Sequence, residues 1–206
     1  MRSDVVLVVS EHRSRLTPER LGAYERVRRT LEEAAGRPVD ALHYEDVDGL
    51  DARAVVISGS SAPWSAHDPA ALARLGDAVS ASEAPVLGIC AGLQLLAGWA
   101  GGEVGPVAER GGSPERGYET VDVVEPDGLL AGLGPVATVF QDHEDEVARA
   151  PAGARLLARS TACEVQALEL AGRRWWGTQF HPERFDAEHP DGERVLCNFF
   201  SLAALV

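Results

Sequence analysis

The 206-residue sequence has few cysteines and a shortage of positive charge. Its three cysteines, Cys90, Cys163 and Cys197, lie far apart and form no Cys-x-x-Cys pair. This spacing excludes a disulfide framework and argues against a zinc site, so we expect no metal and a reducing, cytoplasmic environment. The formal net charge of -13 argues against nucleic acid as a partner, because neutralising phosphates requires clustered Lys and Arg side chains.

Long hydrophobic runs are also lacking. No apolar stretch approaches the ~20 residues that a membrane-spanning helix needs, and the first apolar run begins too early for a signal peptide to precede it. We therefore expect no membrane contact. No linker, repeat or low-complexity tract divides the chain, and its length fits one medium-sized core, so we expect residues 1–206 to form a single domain.

The first half of the chain alternates short apolar runs with helical patterns. The runs at 5–9 and 54–57 are rich in β-branched residues, which is typical of parallel strands buried on both faces. Helical patterns follow at about 17–36 and 68–82, and each opens with a capping residue followed by proline. This alternation predicts an α/β fold with a mostly parallel sheet flanked by helices.

The second half of the chain has a different pattern of apolar residues. After residues 103–117, which we expect to be a loop with one short strand, short strands alternate around turns such as Ala171-Gly172. This pattern predicts an additional section of antiparallel strands, followed by a C-terminal helix at about 192–205. The strands are expected at 119–124, 136–140, 154–159, 165–170 and 175–179.

A short apolar run at 85–88 leads into Gly88-Ile89-Cys90-Ala91-Gly92, a Gly-x-Cys-x-Gly pattern. This pattern is typical of a sharp strand-to-helix turn that carries a nucleophile, because only glycine leaves room for the crowded backbone on either side. A cysteine at a helix N-terminus also receives amide N–H groups that favour its thiolate. By itself the pattern does not exclude a buried core cysteine.

A second motif, Gln179-Phe180-His181-Pro182-Glu183, lies near the other end of the chain. In an extended segment the side chains of His181 and Glu183 project to the same side, as a base and the acid that orients it require. Together, the two motifs resemble those of the class I (triad-type) glutamine amidotransferases. The chain most resembles the free-standing amidotransferase domains of GMP synthase, and the resemblance spans nearly its whole length.

The resemblance implies a flavodoxin-like amidotransferase fold and assigns roles at the site. It implies that Cys90 is the nucleophile, His181 the base and Glu183 the residue that orients it. The residue after a nucleophile normally donates one N–H to the oxyanion, which here is Ala91. The resemblance supplies the second donor, Ser60, in a turn that begins at Gly59.

Four further residues are expected at the substrate. Gln94 lies one turn along the helix from Cys90, which could bring its amide to the substrate. Gln141, Asp142 and His143 belong to a segment, 141–147, that resembles the substrate loop of the family. We expect the acidic residues 144–146 in this segment to be a solvated turn.

The turn at Gly59-Ser60-Ser61 departs from the family, much of which has Gly-Gly-Pro there. A serine is less free than glycine to adopt a positive φ. We therefore expect the competent backbone of this turn to be a minor state that a partner stabilises.

The resemblance implies a glutaminase subunit without a cofactor. Cys90 would attack the glutamine side-chain amide and form a γ-glutamyl thioester, and the ammonia would pass to a separate synthase. No acceptor domain follows within the 206 residues, so we expect the acceptor to be a second chain. Two alternatives stay open: a stand-alone γ-glutamyl hydrolase with the same three residues, and a non-enzymatic scaffold.

Overall fold

The computed structural model describes residues 2–170 and 172–206 of the chain. Its strands are β1 (Ser3–Val9), β2 (Val39–His43), β3 (Ala52–Ile57), β4 (Val86–Ile89), β5 (Glu103–Pro106), β6 (Glu115–Val123), β7 (Val136–His143), β8 (Asp145–Arg149), β9 (Ala154–Arg159), β10 (Ala167–Leu170) and β11 (Trp175–Thr178). Its helices are α1 (Pro18–Ala35), α2 (Pro69–Ala81), α3 (Ala91–Trp99) and α4 (Asp191–Leu202).

Across the described ranges, nine strands form one sheet in the order β2-β1-β3-β4-β11-β10-β9-β6-β7. The five strands from β2 to β11 pair in parallel, and the remaining pairs are antiparallel. The predicted α/β fold, with a mostly parallel sheet and an added antiparallel section, is confirmed. The expected turn at Ala171-Gly172 includes Ala171, which lies outside the described residues.

Helices cover both faces of the parallel strands. The apolar sides of α1 and α4 pack on one face, and those of α2 and α3 pack on the other. The strands between them are buried on both sides, which explains their continuous apolar sequences. None of the helices in the part of the chain that the structure describes is long and apolar enough to cross a membrane.

The starts of α1 and α2 follow the predicted capping residues. The Thr17 hydroxyl accepts a hydrogen bond from the N–H of Arg20, and the Asp68 carboxylate accepts one from Ala70. Gly36 ends α1 in the left-handed region, with φ 58°, where glycine avoids the clash that a Cβ would cause.

The segment around residues 103–149 differs from expectation. The region 103–117 contains β5 and the start of β6, and β8 pairs with β5 as a small second sheet. The acidic residues 144–146 are therefore not a solvated turn throughout, since Glu146 lies on β8 and is buried. Backbone pairing and burial of Val147 against α3 form a strand here despite the acidic sequence.

The turn between β4 and α3 is the tightest part of the sheet. A Cβ atom added to Gly88 would lie 2.4 Å from the carbonyl carbon of Gly92, and one added to Gly92 would lie 2.3 Å from the carbonyl oxygen of Ile57. Helix α3 therefore contacts β3 and β4 backbone to backbone. This close contact places Cys90 at the carboxyl edge of the sheet, where ligands bind in parallel α/β folds.

Replacing Gly92 tests this close contact. We expect Gly92→Ala to lower the free energy of unfolding by about 2–3 kcal/mol, because the new methyl group meets backbone atoms that cannot move aside. The matched control is Gly98→Ala on the same helix, where a Cβ has open space. That change should stabilise the protein by about 0.5–1 kcal/mol. Equal midpoints for the two variants in urea unfolding would contradict the close packing.

Candidate active site

Cys90 lies between β4 and α3 with its backbone at φ 52° and ψ -107°. This conformation is rare for a residue with a side chain and costs on the order of 1–3 kcal/mol. The Cys90 N–H donates to the carbonyl of Thr178 at 2.7 Å, which ties the turn to the end of β11. The side chain is almost fully buried, and the Gln179 amide nitrogen lies 3.5 Å from its sulfur.

His181 follows the end of β11, and its N–H donates to the carbonyl of Phe140 on β7 at 2.8 Å. Its Nδ1 lies 2.8 Å from Oε1 of Glu183, whose side chain is only 6 % exposed. A Cβ atom placed on Gly59 would lie 2.9 Å from His181 Cε1 and 3.5 Å from Cys90 Cβ. The three groups from distant parts of the sequence therefore meet at one point.

The charge state of His181 follows from these neighbours. Burial alone would lower the pKa of the imidazole, but Glu183 and the Cys90 sulfur outweigh burial and raise it well above its usual value. The second oxygen of Glu183, Oε2, is buried and makes no hydrogen bond within the described residues. The carboxylate charge is thus directed mainly at His181, which favours an imidazolium beside Cys90.

Residues 59–61, here called the 59–61 turn, lie next to the sulfur. The Gly59 carbonyl accepts hydrogen bonds from the hydroxyls of Tyr24, Ser58 and Ser10 at 3.0, 2.9 and 3.2 Å. The Ser60 hydroxyl donates to Glu11 Oε1 at 3.0 Å.

The backbone of the 59–61 turn does not show the conformation that would make a serine unfavourable. Neither Gly59 nor Ser60 is among the residues with a positive φ in the described chain. The concern that Ser60 makes the observed turn costly is therefore not supported. Its side chain is instead one of the anchors of the turn.

Ala91 occupies the first position of α3, so its N–H has no acceptor within the helix. It faces the same open cleft as the 59–61 turn, Cys90 and His181. This cleft has a volume of about 1110 Å³ and is also bordered by α1. The arrangement places a cysteine, a histidine paired with a glutamate, the 59–61 turn and the first residue of α3 around one space.

Comparison with known proteins assigns the family. Residues 27–202 match the family model of the class I glutamine amidotransferases. The chain belongs to this family. It is 36% identical over 171 residues to the glutamine-hydrolyzing GMP synthase subunit of Methanosarcina mazei, covering 82% of this chain and 80% of that one. The corresponding protein of Pyrococcus abyssi is 32% identical over 158 residues, which cover 77% and 79% of the two chains.

A solved structure supports the same conclusion. A crystal structure assigned to a GMP synthase subunit of Thermoplasma acidophilum superposes with a TM-score of 0.78 at 27% identity. The superposition covers 99% of this chain and 96% of that one. The amidotransferase fold therefore accounts for nearly the whole chain.

The predicted substrate residues of this amidotransferase lie in different places. Gln94 is buried beside Cys90, where its amide nitrogen donates to the Asp145 carbonyl at 2.9 Å and to Gln179 Oε1 at 3.1 Å. Asp142 borders the cleft, but its carboxylate pairs with Arg116 and Arg184 on the rim. Gln94 and Asp142 therefore border the cleft, and their contact with substrate stays a prediction.

The other two predicted substrate residues, Gln141 and His143, are both buried. Gln141 is fully buried, and its amide nitrogen donates to Gln166 at 2.9 Å inside the sheet, so its side chain does not reach the cleft. His143 lies in the cleft wall, but its side chain is 1% exposed, with Nε2 3.0 Å from Glu115 Oε2. The prediction for Gln141 is therefore corrected, whereas His143 lines the cleft with a ring that contacts Glu115.

Sequence reasoning missed Glu11 and Gln179 as parts of the site. Glu11 is fully buried against the 59–61 turn, and Gln179 is fully buried beneath Cys90. The signal for Gln179 is its polar side chain within the otherwise mostly apolar segment 175–180, which suggests a buried polar role. Nothing in the local sequence indicates Glu11, because its partners in the 59–61 turn lie about 50 residues away.

Glu115, His143 and Cys163 form a buried group beneath the cleft. Their potential metal-binding atoms all lie within 4.8 Å of one another. Hydrogen bonds already occupy them: Glu115 accepts from Gln166 at 2.7 Å and from Ser160 at 2.9 Å, besides its contact with His143. Burial raises the pKa of the Cys163 thiol, and Glu146 raises it further. We therefore interpret the group as a hydrogen-bonded support and assign it no metal.

The pKa of His181 gives a direct test of the site electrostatics. We expect Glu183→Gln to lower this pKa, because the substitution removes the carboxylate charge that stabilises the imidazolium. The imidazolium of the variant should lose its proton at a lower pH than that of the unaltered protein. NMR titration of ¹⁵N-labelled histidine measures this shift. The control is Glu144→Gln, which removes an exposed rim charge and should leave His181 unchanged. An unchanged titration in Glu183→Gln would refute the pairing.

Proposed function

We propose that this amidotransferase hydrolyses the side-chain amide of glutamine through Cys90, His181 and Glu183 and supplies the ammonia to a separate synthase. The observation that supports it is the junction of Cys90, His181 and Glu183 beside two backbone N–H groups. The relatives named above are GMP synthase subunits described as glutamine-hydrolyzing. The proposal assigns this chain the same kind of role, in the cytoplasm.

The reaction begins with the Cys90 thiolate, which the neighbouring imidazolium stabilises. The sulfur attacks the side-chain carbonyl carbon of glutamine, and the resulting oxyanion receives hydrogen bonds from the N–H groups of Ser60 and Ala91. The His181 imidazolium then gives its proton to the leaving nitrogen, and ammonia departs as the thioester forms. Glu183 holds the imidazole in position throughout.

Water completes the cycle. The neutral His181 accepts a proton from a water molecule that attacks the γ-glutamyl thioester, and a second tetrahedral oxyanion forms in the same place. Its collapse releases glutamate and returns the Cys90 thiolate beside the imidazolium. Because Gln94 and Gln179 bond to each other beneath the sulfur, the nucleophile keeps one position through both steps.

Cys90 is the first residue to test. We expect Cys90→Ala to abolish glutamine hydrolysis while the melting temperature stays within a few degrees, because only this sulfur faces the cleft. A glutamine-analogue electrophile should label Cys90 and spare Cys163 and Cys197, as measured by peptide mass spectrometry. Cys163 serves as an internal control, since burial raises the pKa of its thiol and keeps it protonated. Labelling at either of the other two cysteines would mean that the nucleophile is misassigned.

Dependence on a partner is the second test. We expect the pure chain to hydrolyse glutamine slowly and to speed up by as much as roughly a hundredfold when a GMP-forming synthase chain is added. This is the effect of a partner that covers the open cleft and stabilises an active state populated at about one per cent in the pure chain. Ammonia release with and without the synthase measures this. Cys90→Ala with the synthase is the control for ammonia from other sources. Full activity of the pure chain, with a γ-glutamyl compound preferred over glutamine, would instead favour a stand-alone hydrolase.

A further inference from the structure

Glu11 is a buried carboxylate that the mechanism above does not use. It lies two residues after β1, and its side chain is fully inaccessible to solvent. An ionised carboxylate without partners is strongly disfavoured in such a place. Burial alone would raise the pKa of Glu11, but hydrogen bonds from Ser61, Ser60 and His12 outweigh burial and lower it. Glu11 is therefore held as a carboxylate.

Most of the partners of Glu11 belong to the 59–61 turn. Its Oε2 accepts from the N–H and the hydroxyl of Ser61 at 3.0 and 2.8 Å, and its Oε1 accepts from the hydroxyl of Ser60 at 3.0 Å. Arg20 on α1 contacts Oε2 at 3.2 Å, and the N–H of His12 donates to Oε1. A single carboxylate thus fixes both side chains and one peptide group of the turn.

The orientation of the Ser60 N–H follows from these bonds. A trans peptide is planar, and its N–H points opposite to its C=O. The Gly59 carbonyl points at three hydroxyls, so the Ser60 N–H, on the same peptide, points the other way. The next peptide is held by the bond from the Ser61 N–H to Glu11. Rotation of either peptide would break these bonds, so Ser60 donates in one fixed direction.

We propose that Glu11 is a positioning residue for amide hydrolysis, which holds the 59–61 turn so that the Ser60 N–H meets the developing oxyanion. This inference rests on the roles proposed above for Cys90 and Ser60. A donor that is fixed before the reaction stabilises the oxyanion without reorganisation, which is why such donors contribute strongly to catalysis. Glu11 acts through the turn and does not touch the substrate.

The test is Glu11→Gln, which keeps the shape but puts an amide where a carboxylate accepts several bonds. We expect kcat for glutamine to fall about tenfold to a hundredfold, less than the loss of a whole oxyanion donor, with KM changed less than about threefold. The rate at which iodoacetamide alkylates Cys90 should stay within about twofold, because that substitution at a tetrahedral carbon forms no oxyanion. A merely structural role would not separate these two rates.

The control for the lost charge is Glu45→Gln. Glu45 pairs with Arg13 on the surface and, among the residues that the structure describes, makes no hydrogen bond or ion pair with the 59–61 turn. We therefore expect kcat, KM and the alkylation rate to stay unchanged. If Glu11→Gln does not fold, Ser61→Ala takes its place. Ser61 is exposed and this change removes one bond to Glu11, so we expect the same separation of rates on a smaller scale.

Three outcomes would overturn the inference. They are an unchanged kcat, a parallel loss of kcat and alkylation rate, or a rise in KM alone. Each is measured in Glu11→Gln, or in Ser61→Ala if that variant replaces it. Failure of the underlying mechanism would look different, because Cys90→Ala would then still hydrolyse glutamine. If Cys90→Ala abolishes hydrolysis but Glu11→Gln has a normal kcat, only the proposed role of Glu11 is refuted.

Discussion

The backbone of Cys90 is held at φ 52° and ψ -107° by contacts on both sides of the turn. On one side, the missing Cβ atoms of Gly88 and Gly92 let α3 approach the neighbouring strands. On the other, the N–H of Cys90 bonds to Thr178. The strained turn persists because packing overdetermines it. Since His181 follows Thr178 by three residues, the bond that fixes the backbone of Cys90 also fixes the segment that carries His181.

Two sets of hydrogen bonds hold the surroundings of Cys90, one beneath its sulfur and one beside it. Beneath the sulfur, Gln179 and Gln94 bond to each other and reach the Asp145 carbonyl. Beside it, the 59–61 turn is bonded to Glu11 and Tyr24, which reach it from the end of β1 and from α1. Buried polar groups of this kind are stable only when they are satisfied together. Cys90 and the 59–61 turn are therefore held by networks of hydrogen bonds, although the cleft in front of them is open.

The sequence was most informative where local chemistry decides the structure. The capping residues Thr17 and Asp68 and the glycines around Cys90 act on their own neighbours, so the starts of two helices and the position of the strained turn could be predicted. The strand β8 could not, because its acidic residues have low strand propensity and pairing with β5 overrides this. Glu11 was hidden for a similar reason, since its role depends on a turn 49–50 residues away.

The substrate loop shows a different limit. The resemblance predicts a loop at residues 141–143, and a loop does not imply the alternation of side chains that a strand gives. These residues are the end of β7, which places Gln141 and His143 inward and Asp142 outward. Strand alternation at these positions predicts that the side chains of Gln141 and His143 lie on one side and that of Asp142 on the other.

The position of Trp64 gives the protein an optical reporter of its own cleft. Trp175 and Trp176 are buried in β11, and Trp99 packs over Gly76 on α2. Trp64 instead borders the cleft, four residues after Ser60, with its ring centroid 5.3 Å from that of His67. His67 also lies 3.3 Å from the Ser60 hydroxyl. We therefore expect the fluorescence of this indole to change when the cleft is filled or its wall moves, so that ligand occupancy could be followed without an attached dye.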